Sequence, residues 1–162
     1  MGNTLVQNQL TLAHDTLLEI CSKLSHFLDE TTLTDIIYDS TGDEEYFKSV
    51  LSSLRRVLVF CEEGKEASEI ILNGKTFRKV AAEKTLFWIY HHCIEEFFNP
   101  RVDNWYEDSR SAYTGKNAIH FSKQVPTSLK DVMKAIEGPF QTIREELEYY
   151  ETDFQTKMIQ TK

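Results

Sequence analysis

The chain has 162 residues and a mass of 18.9 kDa, with 41% apolar and 27% charged residues: enough for one sizeable core, too little for two domains. Eighteen Lys and Arg against 26 Asp and Glu leave a formal charge of -8 and a pI near 5.1, which argues against nucleic acid or anionic lipid as the main partner. No apolar run approaches the roughly 18 residues that a membrane helix needs. No basic leader precedes an apolar stretch, and Val6 occupies the position where a myristoylation signal has Ser or Thr. Three widely spaced cysteines without a CxxC, Cys21, Cys61 and Cys93, fit a reducing cytoplasm. The expectation is a single domain over 1–162, its last few residues free to be disordered.

The clearest element comes first. Val6, Leu10, Ala13, Leu17, Ile20, Leu24 and Phe27 recur at alternating spacings of four and three, the pattern of a narrow helical seam. Asn3 or Thr4 is expected to cap this helix and Asp29 to Thr32 to close it. The seam is read first as a cover for the chain's own core; the sharper alternative is a homodimer seam, because a strict 3.5-residue repeat is what coiled coils use. Thr34 to Tyr38 is apolar but too short to assign. Ser40 to Asp43 reads as a turn with Asp43 as N-cap, and Glu44 and Glu45 sit favourably at the positive end of the next helix. Phe47, Val50, Leu51, Leu54, Val57, Leu58 and Cys61 form its apolar stripe, opposite Lys48, Ser52, Arg55 and Glu62, and Gly64 is expected to interrupt it.

Residues 65–79 admit two readings. Asn73-Gly74 could turn a type I′ hairpin, or terminate a short helix, which Glu66 to Glu69 favour. From Thr76 the pattern is helical up to Asn99-Pro100, with Val80, Phe87, Tyr90, Ile94, Phe97 and Phe98 on one arc, Leu86 and Cys93 on its flank, and Trp88, His92, Glu95 and Glu96 opposite. Arg101 to Val125 is poor in aliphatic residues, and two short strands flanking Thr114 to Asn117 are expected as a hairpin or long polar loop. Pro126 opens a last helical region with Leu129, Val132, Met133 and Ile136 inward. Gly138-Pro139 is expected to kink or break it before Phe140, Ile143, Leu147, Tyr150 and Phe154 resume the pattern on a strongly acidic segment. The fold class is therefore mainly α: a bundle of four to five helices with a small β-hairpin before the C-terminal helices.

Signatures of known chemistry are missing. His91 and His92 diverge by about 100° on a helix and cannot both reach one ion, and there is no HExxH, so no metal or other cofactor is expected, and His91 reads as a partly buried, hydrogen-bonded side chain. The three cysteines read as buried hydrophobes. P-loop, GxGxxG and GxSxG patterns are absent, which leaves no catalytic residue to name. What remains is the polar segment of Tyr106, Glu107, Asp108, Arg110, Tyr113, Lys116 and Asn117, either a binding surface or an ion-pair network anchoring irregular chain. Arg110 is expected to fork onto Glu107, Asp108 or an acid of the last helix.

Three stretches carry a family resemblance: Trp88 to Phe98 (WIYHHCIEEFF), Trp105 to Gly115 (WYEDSRSAYTG) and Glu145 to Asp153 (EELEYYETD). Over nearly its whole length the chain resembles the YpuI-like family, small proteins of Bacillus-type bacteria with a domain of unknown function. The resemblance implies a bacterial cytosolic protein and brings no activity or catalytic residue with it. The leading functional expectation is a non-enzymatic protein-interaction module whose partner is another protein, with a homodimer through the first helix as one form of it. The alternative is a binder of a small anionic ligand, or an enzyme acting on one, using residues 105–117 beside His91. A closed polar cavity joining these residues would favour the alternative, and a flat acidic face the interaction module.

Overall fold

The computed structural model describes residues 2–38, 42–108 and 118–152. Four antiparallel helical rods build the core. Helix α1 (Asn3–Glu30) buries Val6, Leu10, Ala13, Leu17, Ile20 and Leu24 against α3, α4 and α6, so the seam is spent on the chain's own interior. Its N-cap is Gly2, not Asn3 or Thr4, and no side chain caps it. The apolar stretch left unassigned in the sequence is a short helix, α2 (Leu33–Tyr38), started by Thr32 and Asp35, whose side chains and backbone bond each other.

Helix α3 (Glu44–Leu72) begins where expected: the Asp43 carboxylate accepts the N–H groups of Glu45 and Tyr46. It does not stop at Gly64. A Cβ there would lie 3.1 Å from Ile89 Cγ1 and Leu17 Cδ1 and 3.3 Å from Cys93 Sγ, so this glycine is the point of closest approach of three rods rather than a breaker. Contacts of Gly64 with Leu17 and of Glu69 with His14 set α3 antiparallel to α1. Residues 65–72 continue the helix, and Asn73 terminates it with its N–H on the Glu69 and Ile71 carbonyls, which removes the hairpin reading.

The third rod runs through α4 (Lys79–Trp88), a π-helical turn (Ile89–Ile94) and α5 (Glu95–Phe98). The π turn places an extra residue in the helix, so the inward face changes register partway. Ala82, Leu86, Ile89 and Cys93 face inward first, then Tyr90, Ile94, Phe97 and Phe98. The arc drawn at a constant 100° per residue therefore fails at its start: Val80 is 62% exposed, while Leu86 and Cys93, expected on the flank, are fully buried.

Helix α6 (Thr127–Glu146) continues through Gly138-Pro139, so of the expected kink or break the break does not occur, and Leu147 and a 3-10 turn (Glu148–Tyr150) complete the core. Proline removes the N–H that would bond to the carbonyl four residues earlier. That carbonyl, Ala135, instead accepts Lys23 Nζ from α1 at 3.3 Å. A tertiary contact satisfies what the proline left open. Between the third and fourth rods lies an antiparallel hairpin of β1 (Trp105–Glu107) and β2 (Ile119–Phe121), paired Trp105 to Phe121, Tyr106 to His120 and Glu107 to Ile119. The expectations for Ser40, Thr41, Arg110, Tyr113, Lys116, Asn117 and Phe154 lie outside the described residues.

Candidate functional site

Alongside its apolar stripe, α6 carries a second one. Lys130, Lys134, Glu137, Gln141 and Arg144 repeat at spacings of four, three, four and three, so they share one face. The hairpin lies over this polar seam. At one end Arg144 forks onto Glu107 of β1, with Nη1 to Oε1 at 2.9 Å and Nη2 to Oε2 at 2.6 Å. Nη2 also donates to Gln141 Oε1, and the guanidinium rests 3.6 Å above the Phe98 ring centroid. In mid-seam Glu137, only 4% exposed, accepts the N–H groups of Ala118 at 3.2 Å and Ile119 at 3.3 Å. Two donors compensate a buried carboxylate that would otherwise be costly.

Further contacts hold the hairpin base. Trp105 Nε1 donates to the Phe97 carbonyl at 2.6 Å. The Tyr46 hydroxyl donates to the Asn104 carbonyl at 2.6 Å, and burial raises its pKa. Lys123 Nζ sits 2.8 Å from the Asp43 carboxylate, which that hydrogen bond, with those from backbone N–H groups, holds below the usual range.

At its other end the seam is open. The chain reverses at Val125-Pro126, so β2 and the first turns of α6 run side by side, with a groove of about 560 Å³ between them. Lys123, Lys130 and Lys134 line it, with Met133, Ile119 and Phe121 as apolar surface and Tyr106 and His120 at the hairpin side. Among the described residues Lys130 and Lys134 have no carboxylate partner.

Of the residues singled out in the sequence, Tyr106 lies on the groove and is 51% exposed, whereas Glu107 is committed to Arg144. Asp108 donates its N–H to the Ala118 carbonyl at 2.6 Å and holds its carboxylate 3.5 Å from His120 Nε2. His91 lies elsewhere, with Nε2 3.0 Å from the Tyr150 carbonyl, Nδ1 3.2 Å from Glu95 and its ring against Phe87. It joins no part of the groove. The recess between β2 and α6 is open and lined by lysines, and the expectation for a surface joining Arg110, Tyr113, Lys116 and Asn117 lies outside the described residues. The sequence reading missed Lys123, Lys130, Lys134, Glu137 and Arg144. The signal for the last four was the second stripe on α6, hidden by the expected interruption at Gly138-Pro139; Lys123, before the helix, carried none. No group of three or more potential metal ligands occurs among the described residues, and no described helix is long and apolar enough to cross a membrane.

Comparison with known proteins places this architecture. A family described as a protein of unknown function, DUF3907, matches residues 10–156. The chain is also 40% identical over 151 residues to the uncharacterised protein YpuI of Bacillus subtilis strain 168, covering 93% of this chain and 84% of that protein. The chain belongs to this family. The match to DUF3907 takes in all of the hairpin and all of α6, so the groove lies within the family's span. No solved structure matches the chain.

Proposed function

We propose that this member of DUF3907 is a non-enzymatic protein-interaction module, and that the groove between β2 and α6 receives an acidic segment of its partner. One observation carries the reading: three lysines converge on one recess of a chain with net charge -8, and two of them lack a carboxylate among the described residues. The same α6 face already holds a carboxylate where Arg144 grips Glu107, so an acidic ligand would extend a pattern the fold uses internally. The groove's lysines would steer and orient such a segment more than they would fix it, because exposed ion pairs are individually weak.

A second reading, a small anionic ligand in the same groove, is supported by its volume of about 560 Å³, within the range of small-molecule sites. Anisotropy of a labelled oligoglutamate peptide tests both. Under the proposal the peptide binds the native protein and weakens with salt, and Lys130→Glu/Lys134→Glu loses about tenfold or more in affinity. Equal binding by that variant would remove the groove from consideration. Displacement of the peptide by micromolar pyrophosphate or nucleotide would favour the small ligand.

A further inference from the structure

The hairpin has an open edge, and its pairing shows which backbone groups form it. Asp108 N–H bonds to the Ala118 carbonyl and Ser122 N–H to the Asn104 carbonyl, which puts 104/122, 106/120 and 108/118 in the hydrogen-bonded register of the ladder. The two end pairs have one bond each, because the Asn104 N–H turns to Val102 and the Ala118 N–H to Glu137. In an antiparallel ladder the alternate pairs, here Trp105/Phe121 and Glu107/Ile119, turn their N–H and C=O groups away from each other. The outward N–H of Ile119 is taken by Glu137 of α6, which fixes the direction of that edge: it faces the groove. Two residues along, Phe121 turns its N–H and C=O the same way, and among the described residues nothing bonds to them.

We infer that the partner's acidic segment binds in extended form as a third strand on the outer edge of β2, with alternate carboxylates meeting Lys130 and Lys134. Edge strands recruit extended peptides through such unpaired groups. The spacing agrees with this mode. Lys130 and Lys134 are one turn apart on α6, a rise of about 6 Å, and alternate side chains of a strand are about 6.8 Å apart. An added strand would therefore bring every second side chain to one lysine. Met133 and Phe121 offer apolar surface between these contacts. Glu137 closes the far end, because it occupies the Ile119 N–H and repels a further carboxylate, so the acidic positions are confined to the Lys130–Lys134 end.

This mode rests on the groove being the binding surface, and the test separates the two. The probe is a capped five-residue peptide of alternating glutamate and valine, added to ¹⁵N-labelled full-length protein. The expected result is saturable binding, a Phe121 amide whose hydrogen exchange slows by about tenfold or more, and loss of both in Lys130→Glu/Lys134→Glu. N-methylation of the peptide amides that face β2, which keeps every charge, is expected to cost at least about tenfold in affinity. An N-methylated peptide that binds as tightly as its parent, with Phe121 exchange unchanged, overturns strand addition and leaves the lysine groove standing. Absence of saturable binding at low salt, or binding that survives the double lysine reversal, overturns both. Folding of the variant is checked by its far-UV circular dichroism and by the native amide shifts of α1.

Discussion

Gly64 shows how a residue read locally can mislead. Glycine costs a helix about 1 kcal/mol relative to alanine, which is why it suggests a stop. Here the missing Cβ lets α1 and the π turn approach α3 to van der Waals contact. Gly64→Ala sets that propensity gain against overpacking, and the two are of similar size; the expected net change is within about 1 kcal/mol. Gly64→Val adds branched bulk where the 3.1 Å contacts already leave no room and is expected to destabilise by about 2–3 kcal/mol in urea unfolding. A neutral Gly64→Val would mean that the rods do not meet there. The thiols behave as the sequence suggests: Cys21, Cys61 and Cys93 are all buried. Burial pushes the Cys21 thiol up to about 12, and burial together with contact from Cys93 raises that of Cys61. Cys21 and Cys61 are thus held as thiols at neutral pH and Cys93 is shielded by the core, so folded protein is expected to label slowly with a thiol reagent and unfolded protein quickly. Fast labelling of all three in native conditions would contradict their place in the core.

At the scale of elements, the hairpin is held to α6 by polar contacts more than by its own three-residue strands, which are too short to be stable alone. Arg144 forks onto Glu107, its planar guanidinium giving two parallel bonds that an ammonium cannot reproduce; Arg110, for which a fork was expected, lies outside the described residues. Arg144→Lys is expected to destabilise the fold by about 1–3 kcal/mol, through the lost second bond and the lost stack on Phe98. In a double-mutant cycle with Glu107→Gln the two changes should be non-additive by about 1 kcal/mol or more. Strict additivity in thermal or urea unfolding would mean that the pair contributes nothing jointly. Glu107 was legible as a charged strand residue, but its partner was not. The two are 37 residues apart, and nothing local to either records the meeting.

At the scale of the molecule, His14 ties α1 to α3. Its Nε2 lies 3.0 Å from Glu69 and its Nδ1 3.0 Å from Asp15. Burial acts to lower the ring's pKa, but the hydrogen bonds and charges of both acids outweigh it, and the pKa is raised above 6.5. A group whose pKa rises on folding stabilises the native state fully below its unfolded value and loses that contribution as pH climbs through the folded one. Stability is therefore expected to fall by a small amount as pH climbs above about 6.5 through the raised value, since Glu69 is open to solvent and screened, and His14→Gln should flatten that slope. An identical slope in the variant would assign it to other groups. Legible in the residues alone were the α1 seam, the inward stripe of α3 with its Asp43 cap, a hairpin or long polar loop between residues 101 and 125, and the buried cysteines. These depend on side-chain periodicity and on caps, which backbone geometry sets within a few residues. Only the tertiary structure decided that Gly64 is a crossing point, that Lys23 lets α6 pass Pro139, and that the π turn shifts the third rod's inner face. It likewise decided that three lysines from a loop and a helix share one groove. Each of these is set by which distant groups meet once the rods have packed, and local pattern carries no record of that.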